Sequence, residues 1–264
     1  MDIGRVGIWS FSLQQHPAAR EQEAAAELEE LGYGAVWVPE ARGKEALSHA
    51  SLLLAGTRRI AVATGIASIW ARDPVTMAQG HKTLSEAYPG RFLLGMGVSH
   101  APMVEGIRGH RYEKPLARMK SYLDAMDKAP YSGPAPAEEP VRVLAALGPK
   151  MLRVSAERAD GAHPYFAPLE HTSDARKILG EGPILAPEQA VVLEKDPDRA
   201  RAIARTHMKG YLALPNYANN VKRYGFSDND LGGGGSDRLV DAIVAWGDLD
   251  AIVGRVRAIA VQHG

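Results

Sequence analysis

Cysteine is missing from all 264 residues of the sequence. Its absence excludes disulfides, thiolate nucleophiles, iron–sulfur clusters and cysteine zinc sites. The nine histidines are scattered and form no pair at metal-ligand spacing. We therefore predict no metal site, and the chemistry of the protein must use other groups.

Net charge and long apolar runs are also lacking. The 31 lysines and arginines balance the 31 aspartates and glutamates, so no overall field attracts polyanions or an acidic membrane surface. The longest run without a charged residue, 6–19, has 14 residues, which is too short to span a bilayer, and residues 1–5 lack a signal-peptide pattern. We expect a cytoplasmic protein with no nucleic-acid or membrane partner.

Common nucleotide and hydrolase motifs are absent as well. Gly32-Tyr-Gly34 and Gly95-Met-Gly97 each begin a dinucleotide-binding fingerprint, but Trp37 and His100 occupy the third-glycine positions. Neither a Walker A motif nor a Gly-x-Ser-x-Gly motif occurs. The sequence thus gives no support to a Rossmann enzyme, a nucleotide hydrolase or a serine hydrolase.

Short apolar runs rich in β-forming residues alternate with longer stretches of helical periodicity, which is typical of repeated βα units around a parallel sheet. The length of the chain fits one large α/β barrel better than two domains. Seven runs are predicted as strands: 5–9, 35–38, 60–68, 92–98, 141–145, 161–166 and 184–193.

Helices are predicted between and after these strands, at 18–31, 75–88, 114–126, 150–158, 198–212, 237–246 and 248–257. Asp73-Pro74 predicts a helix start, and Gly32 predicts a helix end. An eighth strand is poorly recognisable, because the only remaining apolar run, 258–262, continues the last helix. Either the chain is shortened, or this run is the remnant of strand eight.

Polar groups stand where the predicted strands end, which is where ligands bind in an α/β barrel. Glu40 follows strand two and His100 follows strand four, so the two form a possible acid and base pair. The plainer alternative makes Glu40 a solvated carboxylate near Arg42 and Lys44, and makes His100 a cap for the turn that follows it.

Two further strand ends are candidates for binding. Gly65 within strand three suggests a bulge or the close approach of a ligand. Gly148-Pro-Lys150 precedes a helix, whose free N–H groups and dipole can hold a phosphate. Among the tryptophans, Trp37 is predicted in the core, whereas Trp9 and Trp70 are predicted to face the mouth of the barrel.

These segments, in this order, resemble the bacterial-luciferase-like superfamily, and specifically its branch of oxidoreductases that depend on the deazaflavin coenzyme F420. The resemblance covers nearly the whole chain. The stretches that carry it are 35–40, 63–68 with 72–74, 95–100, 147–150 and 159–163.

The resemblance implies a single luciferase-like (β/α)8 TIM barrel over residues 1–264, with a cis peptide bond at Gly65–Ile66 that backs the deazaflavin ring. It implies proton-handling roles for Glu40 and His100. The residues expected to contact the cofactor are Thr64, Gly65, Ile66, Ser68, Gly97, Val98, Ser99, Gly148, Pro149, Lys150, Met151 and His163.

By the same resemblance, we expect hydride transfer between coenzyme F420 and a small organic substrate, in a homodimer. Two alternatives stay open at this point. One is an FMN-dependent monooxygenase of the same superfamily, and the other is a non-catalytic flavin-binding barrel. A binding titration with each cofactor separates them.

Overall fold

The computed structural model describes residues 1–261. The chain divides into two compact units, one formed by Met1–Ala145 with Arg158–Asp160 and the other by Ala146–Glu157 with the residues from Gly161 onward. The organisation as one barrel domain stays a prediction.

In the first unit, neighbouring strands pair in parallel in the order β1, β2, β3, β5, β6, and β4 pairs with β5. All residues of β2, β3 and β5 are buried, which explains their uninterrupted apolar runs. The bounds are β1 Gly7–Trp9, β2 Ala35–Val38, β3 Ala61–Thr64, β4 Ala67–Ser68, β5 Phe92–Gly97 and β6 Val141–Leu144.

Helices separate these strands, with bounds α1 Ala18–Glu30, α2 Ala46–Ala55, α3 Pro74–Ala87, α4 Ala101–Gly106 and α5 Pro115–Asp127. The predicted start of α3 is confirmed, because the Asp73 side chain accepts hydrogen bonds from Val75 N and Thr76 N, and Pro74 is the first helical residue. The predicted stop after α1 is also confirmed, since Gly32 has a left-handed φ of 87°.

The second unit contains two parallel strand pairs, β7 with β8 and β9 with β10. The strands are β7 Gly161–Ala162, β8 Ile184–Leu185, β9 Ala190–Leu193 and β10 Val244–Gly247. The helices are α6 Pro149–Arg158, α7 Leu169–Leu179, α8 Pro197–Leu212, α9 Pro215–Lys222, α10 Asp228–Leu231, α11 Asp237–Ile243 and α12 Leu249–Val261.

Three predicted strands are divided or shortened. The third, 60–68, is two strands, β3 and β4, on either side of Gly65 and Ile66. The sixth, 161–166, ends at Ala162, because Pro164 has no N–H to donate and Phe166 adopts a left-handed φ of 54°. The seventh, 184–193, is two strands with Pro187 in the connection between them.

The prediction for the last part of the chain is wrong for 237–246 and confirmed for 258–261, which continue the last helix. The predicted helix 237–246 ends at Ile243, and the backbone turns directly into β10, where Val244 pairs with Ala190. The run 258–262 is no remnant of a strand, because 258–261 belong to α12; residue 262 lies outside the described residues. The strand that could not be recognised is therefore β10.

Within residues 1–261, no helix is both long enough and apolar enough to cross a bilayer.

Candidate active site

The connection between β3 and β4 carries the predicted cis peptide bond, Gly65–Ile66, which is confirmed. The neighbouring Thr64 is fully buried, and its hydroxyl donates to Gly95 O at 2.7 Å and accepts from Gly95 N at 2.9 Å. One hydroxyl therefore joins the end of β3 to the middle of β5, directly beside the bulge.

Two glycines of β5 allow the bulge to lie against this strand. A Cβ atom on Gly95 would lie 2.0 Å from Thr64 O, and one on Gly97 would lie 2.7 Å from Ile66 Cδ1. A side chain at Gly95 is excluded, because it would meet main-chain oxygen, whereas one at Gly97 would force the Ile66 side chain to move. The structure thus brings Gly65, Ile66 and Gly97, three of the expected cofactor contacts, together.

Three aromatic side chains, here called the aromatic donor set, hydrogen-bond to main-chain carbonyls at the ends of β3 and β5. The pairs are Trp9 Nε1 to Gly65 O at 3.0 Å, Trp70 Nε1 to Val98 O at 2.9 Å and Tyr112 Oη to Ser99 O at 3.2 Å. Trp9 and Trp70 are half-buried, whereas Trp37 is buried, as predicted.

Glu40 is not the solvated carboxylate of the plainer interpretation, because its side chain is only 4% exposed. Its Oε1 pairs with Arg72, and its Oε2 accepts a hydrogen bond from Ser68 N at 2.7 Å. Arg72 also binds Glu45 Oε1 at 2.5 Å. A buried anion with a cation and an N–H donor is well suited to orient β4.

His100 occupies the N-cap position of α4, but its side chain makes no capping hydrogen bond there. Its main-chain oxygen caps the helix instead, because it accepts hydrogen bonds from Met103 N and Val104 N at 3.0 Å each. The plainer interpretation of His100 as a cap is therefore confirmed for its backbone. His100 is half-buried and follows Ser99, which has a left-handed φ of 55°.

Glu40 follows β2 and His100 follows β5, and β3 with β4 lies between these two strands. Glu40 is linked to the end of β5 through Ser68, which is in register with Gly97.

In the second unit, Gly148 directly precedes α6, as predicted for a phosphate-binding turn. A Cβ atom on Gly148 would lie 3.2 Å from Arg223 Nη1. Lys150 is exposed in the first turn of the helix. Arg223 escaped the sequence analysis because it lies far along the chain and belongs to no motif.

His163 is buried, and its Nδ1 lies 2.6 Å from Ala186 O. Burial lowers the pKa of His163 to about 4, although the bond to Ala186 acts in the opposite direction. Its imidazole is therefore neutral at physiological pH.

Glu188 is a second group that sequence reasoning missed. Its Oε2 accepts from Phe166 N at 3.2 Å, and burial raises the pKa of Glu188 to about 7 against the lowering effect of that bond. Tyr165 and Tyr211 lie nearby, with their hydroxyl oxygens 2.8 Å apart. The only sequence signal was a carboxylate directly after an apolar run.

Across residues 1–261, no group of three or more histidine, aspartate or glutamate side chains is arranged to hold a metal ion.

Parallel strands joined by helices, with polar and glycine residues gathered where the strands end, define the class of α/β barrel enzymes. The chain belongs to the luciferase-like monooxygenase family, whose model matches residues 5–264. This finding confirms the resemblance stated above and the luciferase-like barrel fold.

Individual proteins similar to this chain include one from Mycobacterium tuberculosis named as a coenzyme F420-dependent oxidoreductase, which is 29% identical over 81% of this chain and 72% of its own. A solved F420-dependent secondary alcohol dehydrogenase, in complex with an F420-acetone adduct, superposes with a TM-score of 0.76 over 98% of this chain and 90% of its own, at 14% identity. The oxygenating constituent of a Pseudomonas putida diketocamphane monooxygenase, in complex with FMN, gives a TM-score of 0.68 over 98% and 88% at 15% identity.

Proposed function

We propose that this protein is an oxidoreductase that transfers a hydride between coenzyme F420 and a small organic substrate. The observation that carries the proposal is the Gly65–Ile66 bulge seated on the glycines of β5, in a chain of the luciferase-like family. The F420-dependent relative and the F420-dependent dehydrogenase with the same fold support this cofactor over FMN.

The residues of the second unit fit a phosphate-bearing cofactor. The amino end of α6 offers main-chain N–H groups, and the Arg223 guanidinium lies close to Gly148, with Nη1 3.2 Å from the position of an added Cβ. A helix amino terminus and a guanidinium both favour a bound phosphate. We assign Gly148, Pro149, Lys150 and Met151, with Arg223, to this phosphate, and we assign His163 to a neutral contact with the cofactor.

In the first unit, we assign the ring of the cofactor to the bulge and the end of β5. The contacts proposed there are Thr64, Gly65, Ile66, Ser68, Gly97, Val98 and Ser99. When bound, coenzyme F420 would supply the carbon that gives or takes the hydride.

The protein itself must handle the proton that accompanies reduction of a carbonyl or oxidation of an alcohol. We assign proton transfer to His100, because an imidazole exchanges protons near neutral pH. We assign an orienting role to Glu40, because Arg72 and Ser68 N bind its two side-chain oxygens.

A titration of the purified protein with coenzyme F420 and, separately, with FMN tests the cofactor. We expect the fluorescence of F420 to change saturably, with FMN binding much more weakly. Tight binding of FMN without binding of F420 would favour the monooxygenase instead. Failure of both cofactors to bind would leave the non-catalytic barrel as the better description.

Substitutions His100→Asn and Glu40→Gln test the proton assignment. Each should lower turnover about 100-fold with F420 affinity nearly unchanged, because His100→Asn removes the positioned acid or base and Glu40→Gln disturbs the site that positions it. His16→Asn is the matched control, because His16 is exposed and should leave turnover at the wild-type rate. Normal turnover in both test variants would refute the assignment.

A further inference from the structure

Main-chain carbonyls at the carboxyl end of a parallel strand lie beyond the last hydrogen bond between strands, so each needs another hydrogen-bond donor. Water is the usual partner at the mouth of a barrel. Here the carbonyls of Gly65, Val98 and Ser99 are satisfied by the aromatic donor set instead. Three carbonyls around the bulge therefore need no water for their hydrogen bonds.

An indole or a phenol offers one polar hydrogen and an otherwise apolar ring. Once that hydrogen is bonded to a carbonyl, the rest of the side chain presents apolar surface. The set thus converts the polar end of two strands into a surface suited to a flat aromatic ring. Water has little to bind on such a surface.

Each tryptophan is also held by a second contact. The ring of Phe11 meets Trp9 edge-on, with centroids 4.7 Å apart and planes at 86°. The Arg118 guanidinium lies 5.0 Å from the centre of the Trp70 ring, and Tyr112 lies 6.1 Å away on a tilted plane. These contacts fix the donors before any ligand arrives.

The two indoles act on different strand ends. Trp9, at the end of β1, holds the carbonyl of the cis peptide unit, while Trp70, after β4, holds the end of β5. Because both bonds are made to the main chain, they set the positions of the backbone itself.

We propose that Trp9, Trp70 and Tyr112 are positioning residues that fix the Gly65–Ile66 bulge and the Val98–Ser99 end of β5 as a dry, rigid slot for a planar tricyclic ring. The inference rests on the proposed function, since the ring is that of the deazaflavin. It assigns no proton transfer to these three side chains.

The variants Trp9→Phe, Trp70→Phe and Tyr112→Phe remove each hydrogen-bond donor and keep an aromatic ring. Trp246→Phe is the matched control, because Trp246 donates its indole N–H to the Asp241 side chain at 2.7 Å rather than to these carbonyls. Each test variant should weaken F420 binding about fivefold, the usual effect of one hydrogen bond. Trp246→Phe should leave the affinity unchanged.

Indole N–H resonances from protein labelled with 15N-tryptophan supply a readout that a purely structural role would not move. We expect the Trp9 and Trp70 signals, assigned from their phenylalanine variants, to exchange slowly with solvent and to shift when F420 is added. The Trp246 signal should not shift. Lower thermal stability of the variants with unchanged F420 affinity would reduce the set to a structural role and overturn the proposal.

Failure of this inference differs from failure of the proposed function. Wild-type protein that binds F420 while the Trp9 and Trp70 signals stay unshifted overturns the inference alone. Wild-type protein that does not bind F420 overturns both.

Discussion

Substitution of Gly97 by alanine tests how tightly the bulge is seated on β5. The new Cβ would lie 2.7 Å from Ile66 Cδ1, 2.8 Å from Ile66 Cγ1 and 3.0 Å from Ala145 Cβ, whereas carbon atoms in favourable contact are about 3.5 to 4.0 Å apart. The Ile66 side chain must therefore move by about 1 Å. Overpacking of this kind costs about 1 to 3 kcal/mol.

Substitution of the nearby Gly95 by alanine should destabilise the fold more than substitution of Gly97. The Cβ added at Gly95 would lie 2.0 Å from the main-chain oxygen of Thr64, and backbone cannot rotate away as a side chain can. Gly95→Ala should therefore destabilise the fold by more than about 3 kcal/mol. Gly210→Ala in α8 is the control, because nothing lies within 4 Å of its Cβ position, and it should stabilise by up to about 1 kcal/mol.

Urea unfolding followed by tryptophan fluorescence measures all of these free energies, and an F420 titration follows the site. Gly97→Ala should weaken F420 binding at least about tenfold, since it displaces Ile66 at the bulge. Adding Ile66→Ala removes the two nearest atoms and leaves only Ala145 Cβ at 3.0 Å, so the double variant should be more stable than the sum of the two single effects by about 1 kcal/mol or more. Strict additivity of the two substitutions would refute this account of the glycine.

Three further predictions concern the phosphate turn and the pH dependence of stability. Gly148→Val should weaken F420 binding at least about tenfold, because the new side chain blocks approach of the phosphate to the turn. Lys150→Ala should weaken it only about twofold to fivefold, because the main chain supplies most of the donors. Titrations in which both variants bind F420 equally well would contradict the placement of the phosphate at this turn. Burial raises the pKa of Glu188 from 4.5 to about 7, so the wild-type protein loses stability as the pH rises from about 4.5 through 7. Glu188→Gln should therefore match wild-type stability at about pH 4 and exceed it at about pH 8.5. Urea midpoints that move in parallel at the two pH values would exclude this. Burial alone would raise the pKa of Glu29, but hydrogen bonds from the N–H groups of residues 58–60 outweigh burial and lower the pKa to about 2. Glu29→Gln should therefore lower the free energy of unfolding by about 1 to 3 kcal/mol at pH 7. In an acid titration of stability, this difference should vanish as the pH falls from about 4.5 towards 2.

The first unit was the more predictable part of the fold because its signals are local. Strand β2 is buried at all four positions, so its sequence is an unbroken apolar run. The start of α3 depends on Asp73 and Pro74, which act within their own turn. Such features can be recognised without knowledge of any distant contact.

The end of the chain was mispredicted because no local signal separates α11 from β10. Ile243 and Val244 are adjacent apolar residues with neither glycine nor proline between them. Val244 leaves the helix with φ −111° and ψ 126°, and β10 exists because it pairs with β9. A tertiary pairing therefore overrides the helical periodicity of this segment.

The candidate site likewise has one part that the sequence predicts and one part that depends on distant contacts. The bulge could be predicted from the glycines and the family resemblance, because the close approach of the backbone there requires residues without side chains, and these are visible in the sequence. The surroundings of Glu40 could not. Its sequence neighbours Arg42 and Lys44 suggested a solvated surface carboxylate, but its cation is Arg72, 32 residues further along the chain.

The pairing of Glu40 with the distant Arg72 changes the role that a carboxylate at a strand end can be assigned. A charge that is 4% exposed and bonded to both a guanidinium and a main-chain N–H is costly to leave unpaired, so its first effect is on the geometry of Arg72 and Ser68. Strand-end position identifies groups near a ligand site, but the partners brought by the fold decide which group exchanges a proton and which holds the others in place. For this reason we assign proton transfer to His100, and Arg72→Lys, which keeps the charge but changes its hydrogen-bonding geometry, should impair the site much as Glu40→Gln does.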